Sequence, residues 1–500
     1  MTQTIGGGTA AIPDSVLSHY DVLADLLILS VIAALVLFPA LGQTQYLANR
    51  ELRHAEISRE MAERHDYVVP HLVGQPYPEK PPPMHVAAAL LMGWWGPSVL
   101  LARAPSALAA LGVILMTYGL GRILSDRWLG LVGALGLLAI PGFTIMARQA
   151  RPDMVLCLAI TASALTLALG IRADRAPRRR AWFVVAGMAA GLGVITKGPY
   201  ALLFPLFFAV LAPIGRPAWR RPRGEWVGFV AALLATAAVW AVPAYLRDGG
   251  QYLHQVIFQE DLDVTRGANH WYSLITPAVL LSLPIGAFLP MAVRDLRRHG
   301  YSAPLACAAA IFLVVQVVPK KRPHYLLPMY PFLALALAMT IVRHAADSAR
   351  IRRGACLAIA VGAAAVPLYF GVVARWVEHA EDPDLRAARE ILAVAEPAAL
   401  VYVVVRLDEA LAWVGRDDRR VVWIDLEDPG AVRRLREAPP GSYLVMAGGQ
   451  QDLVRSLAGE LPLKTLTTIE WPRRKLDQIV SLSRRADREL SVLRFVESRR

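Results

Sequence analysis

The chain has 500 residues, 55% of them hydrophobic and only 19% charged, with a mean hydropathy of +0.41, which excludes an ordinary soluble globular protein and predicts a polytopic membrane protein. Its formal net charge of +13 does not indicate a nucleic-acid partner, because Lys and Arg fall in short clusters between apolar runs, as in cytoplasmic membrane loops. Cys157, Cys307 and Cys356 all lie within apolar runs, so neither a disulfide framework nor a thiolate metal site is indicated.

A spanning helix needs roughly 20 apolar residues. Residues 1–22 hold no Lys or Arg and no cleavage site follows, so the first apolar run, 23–42, reads as a retained anchor. A polar loop, 43–83, comes next. The run 84–100, which contains Trp94, Trp95, Gly96 and Pro97, reads as interfacial or re-entrant: Trp favours the interface, and a full span here reverses the side of everything upstream. Further runs lie near 105–121, 127–146, 154–171, 182–196, 199–214, 226–245, 274–293, 303–319, 325–342 and 355–374. With the first run these make about eleven spans. Arg172–Arg180, Arg216–Arg223, Arg294–Arg298 and Arg343–Arg353 each separate two runs and predict the cytoplasmic side. The 43–83 loop, Arg148–Asp153, Lys197, the 246–273 loop and Lys320–His324 then fall together on the outer face.

Residues 375–500 differ from the membrane domain 1–374. Short apolar runs, Leu400–Val405, Val421–Asp425 and Tyr443–Ala447, alternate with helical stretches, Asp408–Val414, Pro429–Glu437 and Gln450–Leu461. That alternation predicts a small α/β domain with parallel strands outside the membrane, on the same face as the loops. It has no Gly-rich phosphate loop. The Arg-rich end, 473–500, reads as a solvated tail, with contact to anionic lipid as the alternative.

The residues able to do chemistry sit at the outer ends of the runs. Pro81, Pro82 and Pro83 fix an extended backbone behind Glu79 and Lys80, and Lys80 is a compact cation suited to a phosphate. Glu51 is a carboxylate available for proton transfer, and Arg53 is a second cation; Glu56, Arg59 and Glu60 also fit an exposed charged helical face. Arg148 and Asp153 open a run; Asp153 is a functional candidate by position, while Arg148 also fits simple snorkelling. Lys197, at a minimal turn between two runs, suits either an ion pair with Asp153 or a substrate contact. The 247–272 loop carries His254, Glu260, Asp261, Asp263, Arg266 and His270, enough ligands for a divalent metal but in no closed zinc spacing; a lid with aromatic anchors is the simpler reading. Lys320, Lys321 and Arg322, followed by Pro323, His324 and Tyr325, put adjacent cations on the outer side against the positive-inside bias, which calls for a counter-anion such as phosphate.

These segments resemble a known family. Glu51-Leu52-Arg53-His54-Ala55-Glu56, Glu79-Lys80-Pro81-Pro82, Ala147-Arg148-Gln149-Ala150-Arg151-Pro152-Asp153-Met154, Thr196-Lys197-Gly198-Pro199 and Lys321-Arg322-Pro323-His324-Tyr325-Leu326-Leu327-Pro328 are similar to motifs of the polyprenyl-phosphate-sugar-dependent glycosyltransferases. That group includes the lipid A aminoarabinose transferase and the protein mannosyltransferases. The likeness covers residues 20–345 and is weak beyond. One position departs from it: Arg50 stands where the family's first acid is expected.

The resemblance implies an α-helical polytopic membrane protein of the C-type glycosyltransferase fold, in the bacterial inner membrane, with 43–83 as its external catalytic loop. It implies a polyprenyl-phosphate sugar donor, a lipid, glycolipid or protein acceptor, and transfer with inversion. On this reading Glu51 and Asp153 are catalytic, and Arg53, Lys80, Lys320, Lys321, Arg322 and His324 hold the donor phosphate. Glu79, Arg148, Lys197, His270 and Tyr325 are further site candidates; no cofactor is certain, and a divalent metal is an open option. The replaced acid leaves Glu51 as proton acceptor for a hydroxyl nucleophile, while a phosphate acceptor needs little help. A transporter or flippase of a lipid-linked or anionic substrate is the alternative class, although the charges cluster on one face rather than at mid-membrane. A membrane-anchored binding protein leaves the Glu79-Lys80-Pro81-Pro82 loop without a role.

Overall fold

In a computed structural model the described residues are 14–43, 51–78, 81–214, 224–248, 250–256, 270, 272–299, 302–317, 321–373, 383–396, 399–404, 408–415, 421–424, 429–447, 450, 452, 454, 456, 461–471 and 488–496. The first part is a helical bundle. α1 (Asp14–Leu37) leads to α2 (Glu51–Arg64), a short hairpin of β1 (His71–Leu72) and β2 (Gln75–Pro76), and α3 (Pro83–Trp95). There follow α4 (Val99–Leu124), α5 (Arg127–Leu138), α6 (Pro141–Ala147), α7 (Asp153–Arg172), α8 (Ala176–Lys197), α9 (Leu203–Leu211), α10 (Glu225–Asp248) and α11 (Gln251–His254). The bundle closes with α12 (Ile275–Leu280), α13 (Leu289–His299), α14 (Ala303–Val317), α15 (Tyr330–Ala345) and α16 (Ala349–Leu368).

Among the described residues six helices are long and apolar enough to cross a membrane, or eight if each of two bent pairs counts as one span. α1, 24 residues long with Leu27, Val31 and Leu35 turned outward, is a further apolar helix of spanning length. The about eleven spans expected from run length therefore differ in form from the observed elements. The 127–146 run bends by 68° between α5 and α6. Pro141 at the first position of α6 removes the amide that would continue α5. Gly362 of α16 packs against this break, where a Cβ would lie 2.3 Å from the carbonyl oxygen of Ala139. The 199–214 run is a 3-10 turn, Pro199–Leu202, followed by the nine residues of α9. The 274–293 run is broken into α12, a 3-10 turn at Ile285–Phe288 and α13. α3 is 13 residues, about 20 Å of helix, too short for a hydrocarbon core of about 30 Å.

Chain direction sorts the loops. α1, α6, α8, α10 and α14 end at the same end of the bundle at which α4, α7, α12 and α15 begin. That end carries α2, the β1–β2 hairpin and the turns at 148–152 and 198, and the Arg-rich turns at 172–180, 294–298 and 343–353 lie at the other. There Arg127 and Tyr118 bond the carboxylate of Asp25, at 2.8 and 2.6 Å, tying α1 to α4 and α5.

Among the described residues the C-terminal part forms a five-stranded sheet in the order β4 (Val421–Trp423), β3 (Val401–Val403), β5 (Tyr443–Ala447), β7 (Arg488–Phe495), β6 (Leu463–Trp471). β3 pairs in parallel with β4 and with β5, as the strand–helix alternation predicts, whereas β7 runs antiparallel to both β5 and β6. The reading of 473–500 as a solvated tail is corrected over β7. Leu490 and Val492 alternate inward and are buried in the sheet core, while the stretch carries too few apolar residues overall to announce itself as a strand. The same core takes in Leu52 of α2 and Val99 of α4, and Trp413 packs on it and on the α2–α3 cluster. The small domain thus covers α2, on the end of the bundle that carries the 43–83 loop.

Candidate active site

α2 is a charged helix whose residues Glu51–Ala62 are all buried, between α3, α4, the hairpin and the helix Asp408–Gly415. Charges in such a place must be paired. Each acid is. Arg103 donates to both oxygens of Glu51, Nε to Oε1 at 2.7 Å and Nη2 to Oε2 at 3.2 Å, and the amide of Ala150 donates to Oε1 at 2.8 Å. Arg103 also donates to the carbonyls of Leu41 and Gln43, and α4 is started just before it by Ser98, whose hydroxyl accepts from the amide of Leu101. Arg59 grips Glu56 with two hydrogen bonds and reaches Glu63. Burial nevertheless pushes the Glu56 carboxyl up to about 7. Glu60 accepts from the amide of Gly74, in a turn where Val73 and Gly74 both have positive φ, the geometry of a tight two-residue hairpin.

Beside this helix lie the outer ends of the spans. Asp153 opens α7, and its Oδ1 receives Nζ of Lys197 from the end of α8. Nε2 of His324 stands 4.0 Å from the same oxygen. Lys197 also lies over the ring of Tyr325, 4.6 Å from its centre, and Tyr325 meets His324 edge to face. Lys197 therefore pairs with Asp153, one of the two roles its position allows. Arg148 donates to the carbonyls of Val36, Leu37 and Pro39 and lies 5.0 Å from the centre of the Phe370 ring, so it caps the C-terminus of α1. Arg53 lies 6.0 Å from the Tyr77 ring centre, and Lys321 is buried at the start of the 323–329 turn. His270 is exposed and stacks on Tyr272. Glu79, Lys80 and Lys320 lie outside the described residues, as do Glu260, Asp261, Asp263 and Arg266 of the 257–269 stretch. Among the described residues no three His, Cys, Asp or Glu side chains are placed to hold a metal.

Reading the sequence missed three residues here: Arg103, the partner of Glu51, and the buried pair His54 and His85, whose Nδ1 and Nε2 are 2.9 Å apart. Arg103 and His85 each stand alone in an apolar run, and an isolated ionisable residue in such a run was the available signal. Burial holds the His54 imidazole well below its ordinary range, helped by His85 and by the nearby Arg151 and Arg53, and depresses His85 to about 4.

An apolar cavity of about 280 Å³ is lined by Ile275, Ser282, Gly286, Phe312, Met329 and Leu333 among others. Met329 ends the 3-10 turn that begins at Pro323 and His324.

Residues 79–241 match the family described as dolichyl-phosphate-mannose-protein mannosyltransferase. An undecaprenyl phosphate-alpha-4-amino-4-deoxy-L-arabinose arabinosyl transferase of Edwardsiella ictaluri is 28% identical over 341 residues, 65% of this chain and 61% of that protein. A transferase of the same name from Pseudomonas fluorescens is 29% identical over 336 residues, 63% of this chain and 56% of its own. The chain thus spans about three fifths of the length of these relatives. Among solved structures, ArnT from Cupriavidus metallidurans in the apo state superposes with a TM-score of 0.72 at 20% identity, covering 93% of this chain and 97% of that one. The Archaeoglobus fulgidus oligosaccharyltransferase does so with a TM-score of 0.52 at 14% identity, covering 88% and 71%. These two likenesses concern the fold. Its motif segments, the family match over 79–241 and these relatives all make the chain similar to the C-type polyprenyl-phosphate-sugar glycosyltransferases.

Proposed function

We propose that this protein is an integral membrane glycosyltransferase of the bacterial inner membrane. It moves a sugar from a polyprenyl-phosphate donor to a lipid, glycolipid or protein acceptor at the outer face, where the C-terminal domain also lies. The observation that carries this reading is a junction: the Asp153–Lys197–His324 cluster and the buried Lys321 stand at the start of the turn whose end, Met329, lines the apolar cavity. A lipid-linked sugar needs that combination, with a dry trough for the chain and cations for the phosphate. The names of the relatives favour undecaprenyl phosphate as carrier.

In the proposed reaction an acceptor oxygen bonds to the anomeric carbon as the bond from that carbon to the phosphate oxygen breaks, which inverts the centre. The phosphate leaves with the electron pair. Arg53, Lys80, Lys320, Lys321 and Arg322, with His324, stabilise the charge that grows on it. Both oxygens of Glu51 are engaged by Arg103 and the Ala150 amide, so we give it the duty of holding α2 to α4 and to the 148–152 turn. Oδ2 of Asp153 has no hydrogen-bond partner among the described residues, and we assign it the proton of a hydroxyl acceptor. Glu79, Lys197, His270 and Tyr325 remain site candidates; Lys197 holds Asp153, while Arg148 caps α1.

The test is mass spectrometry of lipids, glycolipids and surface glycans from cells with and without the gene. Loss of one glycosylated species, restored by the wild type and not by a membrane-integrated Lys80→Ala protein, supports the reading. Unchanged profiles, or normal turnover by K80A, overturn it.

A further inference from the structure

His54 and His85 are used by no step above, and the geometry fixes their protons. Nδ1 of His54 and Nε2 of His85 are 2.9 Å apart, with ring centres 5.1 Å apart, so one proton lies between them. His85, in the first turn of α3, is fully buried, and its Nδ1 has no partner among the described residues. A buried N–H without an acceptor costs more than a buried lone pair without a donor. The His85 proton therefore sits on Nε2 and is donated to Nδ1 of His54. That leaves His54 with its own proton on Nε2.

His54 differs from His85 in being open. It keeps 8% of its surface, and its Nε2 has no hydrogen-bond partner among the described residues. The charged groups acting on the ring are His85 of α3, Arg53 of α2, Arg151 of the 148–152 turn and Asp153 of α7. Two arginines and an outward N–H make a place for an anion. An N–H cannot take a proton, so the ring is a donor and not a base. Burial keeps it neutral, and a neutral imidazole whose tautomer is set by its surroundings is an effective hydrogen-bond donor.

We propose that His54 gives a neutral, tautomer-locked Nε2–H to a phosphate oxygen of the polyprenyl-phosphate donor, with His85 behind it as the positioning residue. The proposal rests on the glycosyl-donor reading above.

The experiment uses full-length protein in lipid nanodiscs, labelled with 15N-histidine and assigned with His54→Gln and His85→Gln, and undecaprenyl phosphate as the probe. The His54 resonances should report a protonated Nε2 and a bare Nδ1 from pH 6 to 8, and the Nε2 signal should move when the probe is added. His54→Leu should weaken probe binding about tenfold, and H54Q, whose amide can donate from a similar place, should recover most of that loss. His85→Leu should let the His54 proton move to Nδ1 and weaken binding, while H85Q, which can still donate, should not.

A bare Nε2 or an imidazolium at pH 7 in the wild type overturns the proposal without any variant. So does probe binding in H54L equal to that of the wild type. If the wild type itself fails to bind undecaprenyl phosphate, the glycosyl-donor reading falls and this inference with it, which separates the two failures.

Discussion

Glu51 and Asp153 are both buried carboxylates facing a cation, and they differ in how much of each is already occupied. Asp153→Asn should lower turnover at least about a hundredfold on a hydroxyl acceptor, measured on purified protein with transfer to acceptor as the readout. Glu51→Gln acts on stability first, since leaving Arg103 with half a partner in a buried site costs about 3–5 kcal/mol. Its signature is a lower melting temperature and a smaller monodisperse fraction in size-exclusion chromatography. An E51Q protein that is as stable as wild type yet inactive would return the proton to Glu51. The histidine pair predicts a pH effect. His85 has an ordinary value of 6.5 when unfolded and about 4 when folded. Between these values the unfolded chain binds the extra proton, so stability rises with pH through that window, is complete above 6.5 and is lost towards 4. The size is about 3 kcal/mol for His85. The melting temperature should fall from pH 7 to pH 5 more steeply in the wild type than in H85Q.

At the scale of elements, the closest helix contact relevant to the site is between α8 and α10. A Cβ on Gly187 would lie 2.1 Å from the carbonyl oxygen of Phe229, and one on Gly191 2.7 Å from Cβ of Thr236. Glycines four apart let the two backbones touch. The outer end of α10 in turn supports the 43–83 loop: Trp240 donates to the carbonyl of Val68, and Arg247 pairs with Asp66 at 2.6 Å. Gly187→Val forces these helices apart at a cost of about 1–3 kcal/mol or more and tilts α10 away from that loop. The expected result is a lower melting temperature together with faster proteolysis within 43–83 and reduced transfer. Unchanged proteolysis with lowered stability would show that α10 does not support the loop.

On the scale of the whole molecule, the small domain and the bundle share a core at α2, through Leu52 and Val99 against Leu385, Ile391 and Val401. The domain is thereby placed on the end of the bundle that carries the 148–152 turn. In a Cys356→Ser background, Arg178→Cys and Arg220→Cys should react only with thiol reagent that reaches the cytoplasm. Gln450→Cys should react with impermeant reagent in intact cells, because Arg-rich loops stay on the inner side. Protection of Q450C in intact cells would put the domain on the other face. The buried acids of α2 follow from the same arrangement, since a helix roofed by the domain and floored by α3 and α4 has no water to solvate Glu51, Glu56 or Glu60.

The sequence by itself determined what depends on short stretches read in order. Apolar runs of membrane length, Arg-rich turns between them, and the Glu79-Lys80 and Lys321–His324 segments at the ends of runs are local patterns, and they carried the membrane class and the family resemblance. The pairing of Asp153 with Lys197 was also open to view, because both stand at ends of neighbouring runs. The tertiary structure alone decided where the chain breaks inside apolar runs: hydropathy reports total apolarity, and not whether Pro141 or a close contact at Ala139 ends a helix. It alone made β7 a strand, since pairing with β5 and β6, and not its own composition, selects the extended form. It alone chose Arg103 for Glu51 and His85 for His54, partners far apart in the chain. A buried charge or ring nitrogen takes whichever complementary group the fold brings within hydrogen-bond distance, and that distance is set by helix packing, which no local stretch of sequence encodes.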